Sequence, residues 1–442
     1  MFRSNGVALD IFGDKETSDA RRRCQPTTDA ETELFVLHMR VAVVYTIAYG
    51  GLKDMPDCRE DLEAAMEAAG HPLSLVDGEA SVDTPWGLAK AYVDETFDFL
   101  NEYDGWNADG SIGREYNRVP FMDYPKTDSA GKSWTPYVPK NSAYRFTSKK
   151  RWQPLMESND LGYIAIQEHV TPHIGVLARV FGFRSEDDEE TFTSRKLSSP
   201  KYRRYAKAAK EVIEESRLMA TDTYKQAAIT SFDNKFISLI PLKAQFFIRD
   251  VDTEKALEFY KLTVEVQLAM YNGLVMAWRE KIRHDLPRPT SIVRDKLGDT
   301  LVEAYAGPDA GLQTLKASEW EPFIRTMPHS EFPSASACLC QTFAEQIAYS
   351  VGSDTIDPPL LYTASNEEVL EFASWSDIAA VCGASRVWGG MHFAGAVPAG
   401  VDLCGGGLLA TSISASIGDL IDGDETAAVF TREVGELMVR PL

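Results

Sequence analysis

The chain has 442 residues, with 45 Lys and Arg against 66 Asp and Glu, a formal net charge of −21. A surface this acidic disfavours nonspecific binding to nucleic acid or anionic membrane, and makes any basic pocket a local exception. An apolar fraction of 44% supports a sizeable core, enough for two or three domains or one large helical unit. The N-terminus shows no apolar secretory stretch, so the expectation is a soluble protein, cytoplasmic by default. The six cysteines, at 24, 58, 338, 340, 382 and 404, read as reduced core or surface thiols, since Cys338-Leu339-Cys340 is too tight for zinc ligation.

Residues 1–28 read as an irregular segment, and 29–195 as an N-terminal helical region with long loops. A helix is expected over about 30–49, stopped by Gly50-Gly51. Its apolar run, Leu34–Tyr49, is short and carries His38 and Arg40, so it is a buried helix and not a membrane span. A second helix starts at Thr84-Pro85, with Thr as cap and Pro in the first turn, and carries Leu88, Tyr92 and Phe99 at helical spacing. The turn-rich run D-G-W-N-A-D-G-S has a calcium-loop flavour. It lacks the first acid, however, and has Tyr116 where a bidentate Glu belongs, so a turn is the better reading. His169 and His173 have metal-ligand spacing for a helix, but Pro172 between them argues against that helix. The acidic run 184–190 marks a candidate boundary.

Residues 196–442 read as a helical region that carries the chemistry. Segment 201–230 is rich in Ala, Lys, Glu and Arg, good helix formers. A long amphipathic helix starts near Asp252 or Thr253, with the stripe Leu257, Tyr260, Val264, Leu268, Tyr271, Val275 and Trp278. Lys281 extends the stripe by one turn, so the buried face delivers an ammonium. Pro287 and Pro289 then end the helix and set Arg288 in an extended turn. Further helices are expected from Ser334 or Ser336 to about Ser350, and from near Ser376. The pair Gly389-Gly390 breaks the latter between Arg386 and His392, which lets both face one pocket. Little of the chain reads as strand, and the fold class is mainly α.

Three pieces stand out, each at an expected helix end. Lys281 is followed after six residues by Arg288-Pro289; then comes Pro333-Ser334-Ala335-Ser336; then Ser385-Arg386, followed after five residues by His392. Three fixed cations, a hydroxyl, a histidine and a helix start are the equipment for a tetrahedral oxyanion such as phosphate or vanadate. A multiply charged anion can be buried only against several cations and a ring of donors.

The pattern resembles the vanadium-dependent haloperoxidases and their relatives, the type 2 phosphatidic acid phosphatases and bacterial acid phosphatases, which carry K-x6-R-P, P-S-G-H and S-R-x5-H in this order. Trp278, three residues before Lys281, is similar to a haloperoxidase tryptophan. His329, seven residues before Ser336, matches a second histidine of bromoperoxidases. The runs D-G-W-N-A-D-G-S-I-G-R and H-V-T-P-H are similar to algal members.

The resemblance implies a large helical-bundle architecture and a bound vanadate, with phosphate or sulfate able to take its place. It implies His392 as the apical vanadium ligand, Lys281, Arg288 and Arg386 as cations on the equatorial oxygens, and Ser334 and the Ala335 N–H as donors. The expected partners are hydrogen peroxide, a halide (bromide or iodide) and a small organic acceptor. Neither nucleic acid nor membrane insertion is expected; a homo-oligomer is compatible with the sequence. Trp278 and His329 are halide-site candidates. Two departures matter. Ser336 replaces the acid–base histidine, leaving His329, with His284 behind it, as candidate base. Ala396 stands where many relatives have the Asp that orients the last histidine, so some other group, such as a backbone carbonyl, must orient it. The alternatives are an acid phosphatase with His392 as nucleophile, and a non-catalytic oxyanion binder.

Overall fold

The structure, a computed structural model, describes residues 137–158, 164–169, 185–198, 205–248 and 253–422, with Phe2–Ser4, Val7–Leu9 and a few isolated positions. The chain divides into two units, Met1–Trp134 with Ile417–Pro441, and Thr135–Ser416 with Leu442. These units are cut at different places from the sequence-based segments. In the first, Phe2–Ser4 pairs antiparallel with Val7–Leu9. The expected helices over 30–49 and 84–103, the D-G-W-N-A-D-G-S loop and His173 lie outside the described residues. Every candidate site residue lies in the second unit.

Capping chemistry explains most helix boundaries there. Ser185 caps α1 (Glu186–Thr193) by accepting from the Asp188 N–H. The acidic run expected to mark a boundary is thus the first turn of a helix, where four carboxylates meet the positive end of the dipole. The segment 201–230, rich in helix formers, holds two helices, α2 (Tyr205–Met219) and α3 (Thr223–Ser231), because Asp222 caps the second through the Lys225 N–H. After α4 (Lys235–Ile248) comes the long helix α5 (Thr253–His284). Of its described stripe, Leu268, Val275 and Lys281 are buried, and Val264, Tyr271 and Trp278 are half-buried. Arg288 is extended, with φ −68° and ψ 155°, and Pro289 opens α6 (Pro289–Leu297) at the position where a missing N–H costs nothing.

Ser334 caps α7 (Ala335–Val351), and Ser374 caps α8 (Trp375–Trp388). Two shorter helices follow, α9 (Ala396–Cys404) and α10 (Leu408–Asp422). The run Ala396–Ala415 is long and apolar enough, by composition, to cross a membrane. It is split between α9 and α10 by the turn at Gly405–Gly407, and its Leu403, Leu409 and Ile413 are buried in the core.

In the second unit, strand among the described residues is confined to two-stranded antiparallel hairpins: β1 (Met156–Ser158) with β2 (Ile164–Ile166), β3 (Leu301–Tyr305) with β4 (Leu312–Lys316), and β5 (Thr355–Thr363) with β6 (Val369–Ser374). The architecture is mainly α. Helix α7 is central, packed against α5, α8 and α9. The largest core cluster joins α3, α4, α5, α7, β5, β6 and α8 through Phe232, Met270, Phe343, Phe372 and Trp375.

The cysteine expectation is corrected. Cys338 is bonded to Cys404 and Cys340 to Cys382, tying α7 to α9 and to α8. The tight Cys338-Leu339-Cys340 spacing, which disqualifies zinc, points two thiols from successive positions of α7 toward two different helices.

Candidate oxyanion site

Lys281, Arg288, Ser334, Arg386 and His392 are each no more than 3% exposed. Lys281 comes from the last turn of α5, Arg288 from the link to α6, Ser334 from the cap of α7, and Arg386 from the last turn of α8. His392 lies in the link from α8 to α9. The glycine break between Arg386 and His392 forms as expected. The Met391 and His392 N–H groups fold back onto the Arg386 carbonyl at 3.0 and 3.2 Å. Gly390 has φ +74°, and a Cβ there would stand 2.8 Å from the Trp320 ring, so only glycine makes this turn.

The arginines differ in how they are engaged. Arg288 donates from Nε to the His329 carbonyl (2.8 Å), from Nη1 to the Met391 carbonyl (2.9 Å) and to His392 Nε2 (3.2 Å), and from Nη2 to His329 Nδ1 (2.9 Å). Arg386 is held loosely, by the Ile229 carbonyl at 3.4 Å and by Asp233 at 3.8 Å, while its buried Nε has no hydrogen-bond partner. Lys281 uses its three N–H donors on the carbonyls of Ser330, Glu331 and Pro333, at 2.8, 3.2 and 2.6 Å. It therefore shapes the approach to α7 as well as supplying charge, and a direct bond to an anion exchanges one of these partners.

Burial, then neighbouring Arg288, pushes the Lys281 ammonium well below its ordinary range. Burial takes Arg288 down to about 10, opposed by Glu331, and Arg386 down to about 10, opposed by Asp233. Both arginines stay charged at neutral pH. Burial, with Arg288 and Lys281 next, drives His392 far below 6.5, so its imidazole is neutral. Since a guanidinium can only donate, His392 Nε2 accepts from Arg288 and carries the lone pair. His329 Nδ1 faces both a donor, Arg288 Nη2 at 2.9 Å, and an acceptor, the Ser330 carbonyl at 3.3 Å. His329 is neutral too, through burial first and Lys281 second.

Ser334 Oγ accepts from the Ala337 N–H at 3.3 Å, and its own N–H donates to the Ala396 carbonyl at 3.0 Å. Ala335 is the first residue of α7, and Ser336 is half-buried in its first turn. The Trp278 ring lies 4.7 Å from that of His329 and 5.7 Å from the Lys281 ammonium, so these three are brought together. His284 pairs instead with Glu280, at 3.3 Å. His169 accepts from the Ser330 N–H at 3.1 Å and stacks with Tyr137 and Trp152. No metal-holding cluster of three or more His, Cys, Asp or Glu occurs among the described residues.

A profile of the VCPO second helical-bundle domain matches residues 261–417, the stretch that contains all five site residues. Over that stretch the chain has a helical-bundle domain similar to the second one of VCPO. Two solved structures are similar to it over most of their length. One is the apo form of a bacterial vanadium-dependent chloroperoxidase, with 21% identity, a TM-score of 0.64 and coverage of 85% of this chain and 84% of that one. The other is the holo form of a bacterial vanadium-dependent chloroperoxidase, with 18% identity, a TM-score of 0.63 and coverage of 94% and 96%. At these identities the likeness speaks for the fold. No curated protein matches the chain.

Within this helical-bundle region, sequence reasoning missed Glu331. It is fully buried, its Oε1 lies 3.3 Å from His392 Nδ1, and it accepts the Phe393 N–H at 3.1 Å. A lone Glu two residues before Pro333 carries no motif, so nothing local pointed to it. Lys235, at the start of α4, was missed as well. Burial and Arg386 lower its ammonium to about 7, and its charge acts on His392.

Proposed function

We propose that the protein is a vanadate-dependent haloperoxidase, oxidising bromide or iodide with hydrogen peroxide to hypohalous acid, which then meets a small organic acceptor. The observation that supports it most is an imbalance of buried charge. Among the described residues, Lys281, Arg288 and Arg386 converge around His392 against one fully buried carboxylate, Glu331, and the half-exposed Asp233. Such a cluster is costly unless an anion joins it. The residues fit vanadate: Arg386 Nε is an unpartnered donor, the N–H groups at the start of α7 suit an anion, and His392 Nε2 is an unprotonated imidazole nitrogen. Bound there, vanadate would supply an electrophilic centre at which hydrogen peroxide is activated toward halide.

The chain's own residues divide the rest. Arg288 and Arg386, themselves buried, neutralise the anion's charge where that charge is worth most. Lys281 holds residues 330–333 in place and adds its charge. His329, neutral and packed against Trp278, is the candidate base. Trp278 and His329 form the apolar and polar sides of one wall, a suitable approach for a halide. The two disulfides favour an oxidising compartment over the cytoplasm.

The test is bromination of a phenolic dye by peroxide with and without added orthovanadate. Activity should require vanadate. Activity independent of vanadate, or none at saturating vanadate, refutes the reading. Hydrolysis of p-nitrophenyl phosphate abolished by His392→Ala would point to the phosphatase instead. There the loss of an acid at Ser336 is expected to cost roughly 10²–10⁴-fold.

A further inference from the structure

We propose that Glu331 is the positioning residue for His392, taking the part of the carboxylate that Ala396 cannot supply: it holds the ring as the Nδ1–H tautomer, so that Nε2 presents its lone pair to the oxyanion. The role rests on the oxyanion-site reading above. The tautomer itself is specified twice, from opposite edges of the ring. On one edge Arg288 Nη1, a donor without a lone pair, lies 3.2 Å from Nε2. On the other, Glu331 Oε1, an acceptor, lies 3.3 Å from Nδ1.

Glu331 is well placed to hold an orientation. Its Oε1 also accepts the N–H of Phe393, at 3.1 Å, so carboxylate and ring are registered to the same stretch of backbone. Its own backbone is anchored on both sides: the N–H donates to the Leu286 carbonyl at 2.9 Å, and the carbonyl accepts from Lys281 at 3.2 Å. Residue 396, where the resemblance expects an Asp, is a fully buried alanine whose carbonyl is taken by the Ser334 N–H. The orienting group has therefore moved from the fourth residue after the histidine to the segment before α7. Hydrogen-bonded partners of this kind fix ring orientation and tautomer of a ligating histidine, and their loss typically weakens binding by roughly 10–100-fold.

A bare counter-ion for Lys281 and Arg288 is the competing role, and isosteric variants separate the two. Glu331→Gln removes the charge but keeps an acceptor oxygen, which the Phe393 N–H orients. Glu331→Ala removes both. The readouts are long-range ¹H–¹⁵N spectra of histidine-labelled protein, with the His392 signal assigned by its loss in His392→Gln, and calorimetric titration with orthovanadate and with orthophosphate.

Positioning predicts a protonated Nδ1 and bare Nε2 in the wild type and in Glu331→Gln, with anion affinity of Glu331→Gln within roughly threefold of wild type. It predicts a shift toward Nε2–H in Glu331→Ala, with anion affinity lower by roughly 10–100-fold. Should Glu331→Ala fail to fold, Glu331→Gln decides: loss of the Nδ1–H tautomer there, or of tenfold or more in affinity, overturns the proposal. Retention of tautomer and affinity in a folded Glu331→Ala overturns it equally. A wild type that binds neither anion sinks the oxyanion reading instead, while its His392 tautomer still tests Glu331.

Discussion

Gly400 offers a direct probe of how α9 holds the start of α7. A Cβ built there stands 2.3 Å from the Ser334 carbonyl oxygen and 3.2 Å from both the Ala337 Cβ and the Cys338 nitrogen. Ordinary contact begins near ~3.5 Å, so Gly400→Ala forces a separation of about 1 Å between α9 and the cap of α7. Relaxation is restricted, because the Ser334 N–H is bonded to the Ala396 carbonyl and Cys338 is bonded to Cys404 on the same two helices. Overpacking of this kind costs about 1–3 kcal/mol. For a unit this large that is a fall in melting temperature of about 2–5 °C. Because the displaced atoms carry Ser334 and Ala335, phosphate affinity by calorimetry should also fall, by about tenfold or more; misplacements of about 1 Å at a site are that expensive. A Gly400→Ala protein that melts with the wild type and binds phosphate equally well would refute the reasoning.

Other consequences are as open to measurement. Arg386→Ala deletes the cation whose Nε is unpartnered, and should weaken phosphate or vanadate binding by about 2–5 kcal/mol, read by calorimetry, with little change in fold. The disulfides close loops with sequence separations of 66 and 42 residues, so loop entropy assigns each a stabilisation of about 4 kcal/mol. Cys340→Ser with Cys382→Ser should lower the guanidinium midpoint, and thiol titration of the denatured wild type should gain at least four thiols on reduction, from these two pairs. Burial raises the Asp285 carboxyl to about 6, against lowering by Tyr137 and Arg151. Its contribution to stability is therefore complete below about pH 4 and lost as pH rises through 6, by at most about 3 kcal/mol. Asp285→Asn should flatten the stability profile across that window, and an unchanged slope in chemical denaturation would show that the carboxyl is not buried as described.

Much of this was legible from local pattern. The stripe of α5 led to Lys281 because helical periodicity alone decides which side chains share a face. Ser334 as a cap, Pro289 as a first helical residue and the glycine break before His392 were legible for the same reason: each is a rule about a few neighbouring residues. The split of 201–230 at Asp222 and the capped acidic helix after Ser185 were equally local, and were missed only because composition was read instead of capping.

Pairings that depend on which helices lie side by side are a different matter. Cys338 and Cys340 are two positions apart on α7, yet their partners lie 66 and 42 residues away. Glu331 reaches His392 across 61 residues, and only that contact, with Arg288 on the opposite edge, decides which ring nitrogen is free. Sequence alone determined which charged and capping residues the chain would bring to its helix ends. Tertiary structure decided which donors meet which acceptors there, because a hydrogen bond or disulfide is set by separations of a few ångströms that no spacing along the chain encodes.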